Sequence, residues 1–94
     1  MSSRPYSMAE RLQRVLDNGN LTVADLARWL DKPDPTVRGW VRGSNIGLPP
    51  LDAAWVETEV KRLEALIKKK RGLPVPRMSA RKRIAYMSEL RAGL

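Results

Sequence analysis

Residues 21–43, LTVADLARWLDKPDPTVRGWVRG, constrain the fold more tightly than any other stretch, because two helix starts and two helix stops are written into them. Thr22 and Asp25 stand three apart and form a capping box, in which each side chain satisfies a backbone N–H of the other. Val23, Leu26, Ala27 and Leu30 then fall on one helical face. Asp31 to Pro33 read as a turn. Asp34 reads as the cap of a second short helix, with Pro35 at its first position, where the missing N–H costs nothing. Val37, Trp40 and Val41 give that helix a buried side, and Gly43 stops it. The spacing predicts two short helices joined by a tight turn.

The same punctuation organises the rest of the chain. Residues 1–6 read as a loose arm. Ser7 and Glu10 form another capping box, Met8, Leu12, Val15 and Leu16 follow at helical spacing, and Asn18-Gly19-Asn20 ends that helix. Residues 44–49 read as a loop. Pro50 or Asp52 opens a longer helix reaching to about Lys70, roughly 30 Å long at the usual rise. Val56, Val60, Leu63 and Ile67, flanked by Trp55 and Leu66, form its apolar row. This row either covers the core of the first three helices or forms a dimer seam. Glu57 with Lys61, and Glu64 with Lys68, are favourably oriented pairs on the outer faces. Gly72-Leu73-Pro74-Val75-Pro76 reads as a stiff, extended linker. Ser79 caps a last helix, 79–92, with Ile84, Met87 and Leu90 or Tyr86 on one side; it is expected to dock on a partner subunit. The fold class expected is all-α: a small helix-turn-helix domain of about four helices over 7–70, followed by a basic helical tail over 71–94.

Composition narrows the chemistry. The chain has no Cys and no His, so it has neither disulfides nor the usual cysteine-containing zinc sites. No nucleophile or acid/base constellation is visible, and the chain is expected to be no enzyme and to need no cofactor and no metal. It lacks an apolar run long enough to span a bilayer and the apolar core of a signal peptide. The expectation is no membrane partner and a cytoplasmic location in a bacterial host cell or on its nucleoid. Net charge is +8, unevenly placed. Residues 1–67 carry nine Lys/Arg and nine Asp/Glu, whereas residues 68–94 carry nine Lys/Arg and only Glu89. A basic quarter on a neutral domain calls for a polyanionic partner.

Taken together, ERLQRVL at 10–16, LT at 21–22, DLA at 25–27, Leu30, PTV at 35–37, Trp40 and RG at 42–43 resemble the Cro/phage-repressor-like (XRE-type) helix-turn-helix family, without a gap from Glu10 to Gly43. The resemblance implies double-stranded DNA as partner, with the second helix of the pair in the major groove. The chain departs from the family at Asp31, where Gly is usual, at Lys32, usually apolar, and at Pro33, usually a polar cap. Its later helix is also longer.

Arg38 and Arg42 are the principal candidates for guanine or phosphate contacts, with Thr36 beside them. Thr22 is a helix cap placed to touch a phosphate. Arg28 and Lys32 flank the groove, and Ser44 and Asn45 follow the recognition helix where a loop meets the DNA backbone. Lys68, Lys69, Lys70 and Arg71, continued by Arg77, Arg81, Lys82 and Arg83, form a basic arm suited to phosphates. The function expected is that of a phage or bacterial transcriptional regulator. Two alternatives stand beside it: a packaging factor resembling small terminase subunits, and a protein- or RNA-binding adaptor that uses the basic tail. Homo-oligomers would form through the helix at 50–70 or the one at 79–92.

Overall fold

In the computed structural model, which describes residues 7–43 and 50–93, the protein is all-α. Its helices are α1 (Met8–Gly19), α2 (Val23–Leu30), α3 (Asp34–Arg42), α4 (Pro50–Lys69) and α5 (Ala80–Ala92). The expected arm at 1–6 and loop at 44–49 lie outside the described residues.

Both capping boxes form. Ser7 and Glu10 close the start of α1, and Thr22 and Asp25 close the start of α2. Asn20 and Asp31 end these helices in the left-handed conformation, at φ 53° and 56°. Asp31 thus does what a glycine does at such a position, since a short polar side chain tolerates this backbone better than most. The start of α3 differs from expectation. Asp34 is its first residue rather than its cap, and Pro33 occupies the cap position with no side-chain bond. Pro33 has the extended backbone a cap needs, and its carbonyl accepts from the Val37 N–H at 3.1 Å.

One apolar core joins all five helices. Leu12, Val15 and Leu16 meet Leu26, Ala27 and Leu30, Val37 and Trp40, and Val56, Val60, Leu63 and Leu66. The apolar row of α4 therefore belongs to the chain's own core, which removes it as a dimer seam. Val56, Val60 and Leu63 are fully enclosed there.

The segment expected as a linker, and the last helix after it, pack on the first four helices. Leu73 and Val75 are both buried in the same core, as is Met87 of α5. The physical reason is a period-two pattern: in extended chain, residues two apart share a face. The segment is pinned to the α1–α2 corner, where the Val75 N–H donates to the Gly19 carbonyl at 2.9 Å and Asn20 Nδ2 donates to the Val75 carbonyl at 2.7 Å. Gly72 makes the turn at φ 89°, and a Cβ there would stand 2.6 Å from Leu90 Cδ1. The Tyr86 hydroxyl donates to the Gly72 carbonyl at 2.6 Å, tying α5 to the segment before it.

The last helix, expected to dock on a partner subunit, docks on α2 of its own chain. Arg83, in the first turn of α5, bonds Asp25 in the first turn of α2. Arg91, in the last turn of α5, lies 5.0 Å over the Trp29 ring in the last turn of α2. The two helices therefore run in the same direction, with their N-terminal ends side by side. Between α1 and α4, Arg11 bonds Glu57 and, through Nη2 at 2.7 Å, Glu64. Glu57 also lies 3.9 Å from Lys61, as its spacing predicts. Glu64 turns to Arg11, and no Glu64–Lys68 ion pair forms among the described residues.

Candidate nucleic-acid interface

The interface starts from how α3 is seated. Val37 and Trp40 face inward, against α1 and α2. Asp34, Arg38 and Arg42 recur every four residues and are all exposed, so they line one outer stripe of the helix. Neither arginine forms an ion pair among the described residues. Two planar guanidinium groups four residues apart suit the acceptor edge of guanine or a phosphate. Thr36 and Lys32 are half-buried, Thr36 on the opposite side of α3 from this stripe and Lys32 in the turn before it, where its N–H donates to the Ala27 carbonyl at 3.0 Å.

At the start of α2, Thr22 is exposed but occupied. Its hydroxyl oxygen accepts from the Asp25 N–H at 3.1 Å, and its own N–H donates to Asp25 Oδ2 at 3.0 Å. Asp25 is buried, which alone would push its carboxyl up. The hydrogen bonds from the Thr22 N–H and from Arg83 outweigh that, and the carboxyl is held below its ordinary value. Arg28 approaches the same carboxylate at 3.7 Å, with its side chain half exposed.

The basic residues of the C-terminal quarter divide into two kinds. Lys68, Lys69, Lys70 and Arg71 are exposed at the end of α4, where Lys70 takes a left-handed backbone and the Arg71 N–H donates to the Leu66 carbonyl at 2.9 Å. Arg77, Arg81 and Lys82 are exposed before and within the first turn of α5. Arg83 is different: its side chain is largely covered, bonded to Asp25 and, through Nη2 at 2.6 Å, to the Asn20 carbonyl. It holds the fold together rather than lining the outer surface. Ser44 and Asn45 lie outside the described residues.

Sequence reasoning did not single out the second buried carboxylate. Glu59 is fully enclosed. It accepts from Trp29 Nε1 at 2.9 Å, Arg91 Nη1 at 2.8 Å and Arg62 Nη1 at 3.2 Å. Arg91 also lies over the Trp55 ring at 5.5 Å, and Trp55 Nε1 donates to the Leu30 carbonyl at 3.2 Å. This knot joins α2, α4 and α5 and is structural in character, since every group in it faces a partner within the chain. Its signal was in the spacing: residue 59 falls on the buried face that 56, 60 and 63 define.

Among the described residues no cluster of three or more His, Cys, Asp or Glu is placed to hold a metal ion, and no helix is long and apolar enough to cross a membrane. No protein-family model matches this chain, and neither a curated protein nor a solved structure does.

Proposed function

We propose that the chain is a DNA-binding protein of the Cro/phage-repressor-like helix-turn-helix type, acting as a phage or bacterial transcriptional regulator in the host cytoplasm, with α3 in the major groove. The observation that carries this reading is the outer stripe of α3, where Arg38 and Arg42 stand exposed and without an acidic partner among the described residues. The arrangement of α2, a three-residue turn and α3 supports it, because a helix seated on its predecessor by Val37 and Trp40 is held rigidly enough to read a groove. The charge of +8 supports a polyanionic partner.

A protein- or RNA-binding adaptor is the second reading. It is favoured by the start of α3, where exposed Pro33, Asp34 and Pro35 offer one carboxylate and no basic or amide group at the end of the helix that ordinarily meets bases. Selection of bound duplexes from a random-sequence library, repeated over a salt series, separates the two. Enrichment of a defined motif supports the regulator. Retention of no duplex even at low salt sinks it.

A further inference from the structure

The basic quarter of the chain is not a free arm. It is folded around one corner of the molecule, the α1–α2 turn at residues 19–22, and three observations place it there. The end of α4 comes alongside α1, where Ile67 Cδ1 stands 3.4 Å from the position of a Cβ on Gly19, and Lys68 lines a shallow cavity with Arg14 and Asn18. The segment after α4 is hydrogen-bonded to Gly19 and Asn20 through Val75. The first turn of α5 is bonded to Asn20 and Asp25 through Arg83. Lys68 therefore approaches this corner with the end of α4, and Arg77, Arg81 and Lys82 with the start of α5, while Lys69 and Arg71 lie on another face of α4 beside Arg62 and Ala65. All four at the corner are exposed and make no ion pair among the described residues.

The dipole of α4 favours Lys68 in its last turn, but stability does not account for the basic residues at the start of α5. Arg81 and Lys82 sit in the first turn of α5, which has no acidic residue, and cations there oppose the helix dipole. The corner they surround is the start of α2, the helix that crosses the DNA backbone when its successor lies in the groove.

We propose that Lys68, Arg77, Arg81 and Lys82 form a fixed phosphate clamp, which grips the backbone of duplex DNA on the flank of the groove that α3 enters. The inference rests on the DNA-binding reading of α3. It adds that the flanking contact is rigid and in register with the base contacts, because Arg83 and Val75 lock the clamp to the same corner that carries α2. An acidic protein would meet the same charges, but it would have no reason to need them beside a groove-reading helix.

The test uses the full chain and its Arg81→Gln/Lys82→Gln variant, whose altered side chains are exposed. The clamp predicts that log K against log salt becomes shallower by about 2, since each phosphate contact contributes roughly 0.9 to the slope. The motif selected from a random library is unchanged. Ethylation interference loses its signal at a fixed set of phosphates on one side of that motif. An unchanged slope and interference pattern, with the motif still selected, overturns the clamp and leaves the α3 reading intact. A shallower slope with no localised interference also overturns it, in favour of a mobile arm. If the wild-type chain binds duplexes but selects no motif, base reading by α3 falls, and the clamp, which is defined by its register with that reading, falls with it. If the wild-type chain retains no duplex at low salt, both fall.

Discussion

Arg83 Nη2 stands 2.5 Å from Asp25 Oδ2, with Nε of the same guanidinium 3.2 Å from that oxygen, and the pair is almost entirely covered. The contact joins residues 58 positions apart and aligns the first turn of α5 with the first turn of α2. A covered carboxylate that loses its cation keeps its desolvation cost, which is why breaking such a pair is far more damaging than never having built it. Arg83→Ala should destabilise the chain by about 3 kcal/mol, the low end for a buried pair, because Arg28 and the Thr22 N–H remain near Asp25. Urea unfolding reads this directly. A change within about 0.5 kcal/mol, the range of ordinary surface substitutions, would mean that α5 is not held this way.

Acid should expose the same pair. The Asp25 carboxyl is held below its ordinary value in the folded chain despite the opposing effect of burial. A group so lowered contributes its full stabilisation above the unfolded value of about 3.9, and loses it as pH falls through the folded value. Stability followed by urea unfolding from about pH 6 downward should therefore drop on the acid side of about pH 4. Asp25→Asn should be less stable at neutral pH and lose less on acidification, so the two curves converge. Parallel curves would assign the acid limb to other carboxylates.

The knot around Glu59 gives a third expectation. Trp29, Arg91 and Arg62 all donate to one enclosed carboxylate. Glu59→Ala leaves two guanidinium groups and an indole N–H without their acceptor, and should cost about 3–5 kcal/mol. Glu59→Gln retains one acceptor oxygen and should cost less. Glu59→Met keeps the volume without a strong acceptor, so a Gln urea midpoint above that of Met checks the hydrogen-bonding role. Equal Gln and Met midpoints would mean that only the volume at this position counts.

Local signals made the helices legible and left their assembly obscure. Ser7, Thr22 and Ser79 marked three helix starts because capping is chemistry within four residues. Val37 and Trp40 marked the inner face of α3 for the same reason. The docking of α5 was not legible, because its spacing shows no strong apolar face: Ile84 is exposed, and the helix is held by Met87, Tyr86, Arg83 and Arg91 instead. Asp25 was legible as a cap but not as the partner of a residue 58 positions away, since nothing in local spacing encodes an ion pair of that range. Leu73 and Val75 were masked by the prolines around them, which suit a linker and a buried extended segment equally well. Of the candidate interface, the Arg38 and Arg42 stripe was visible from periodicity alone. The meeting of Lys68 with Arg77, Arg81 and Lys82 at one corner needed the tertiary structure.

The last expectation separates the two arginines of α3. Residues near the start of a groove-bound helix approach base edges, whereas those near its end approach the backbone. Arg38 lies in the middle of α3 and Arg42 is its last residue. Under the proposed function, Arg38→Ala should weaken binding to the selected motif by about 1–3 kcal/mol and relax the choice of base at one position. Arg42→Ala should weaken all duplexes alike and reduce the salt slope by about 1. Both side chains are exposed, so neither change should shift the urea midpoint, and binding loss can be read without correction for folding. Affinity measured on the selected motif and on scrambled duplexes distinguishes the two effects. If Arg38→Ala lowers affinity for motif and scrambled duplex by the same factor, Arg38 is a phosphate contact, and base choice must reside elsewhere on the chain. If it changes neither, α3 is not the recognition helix.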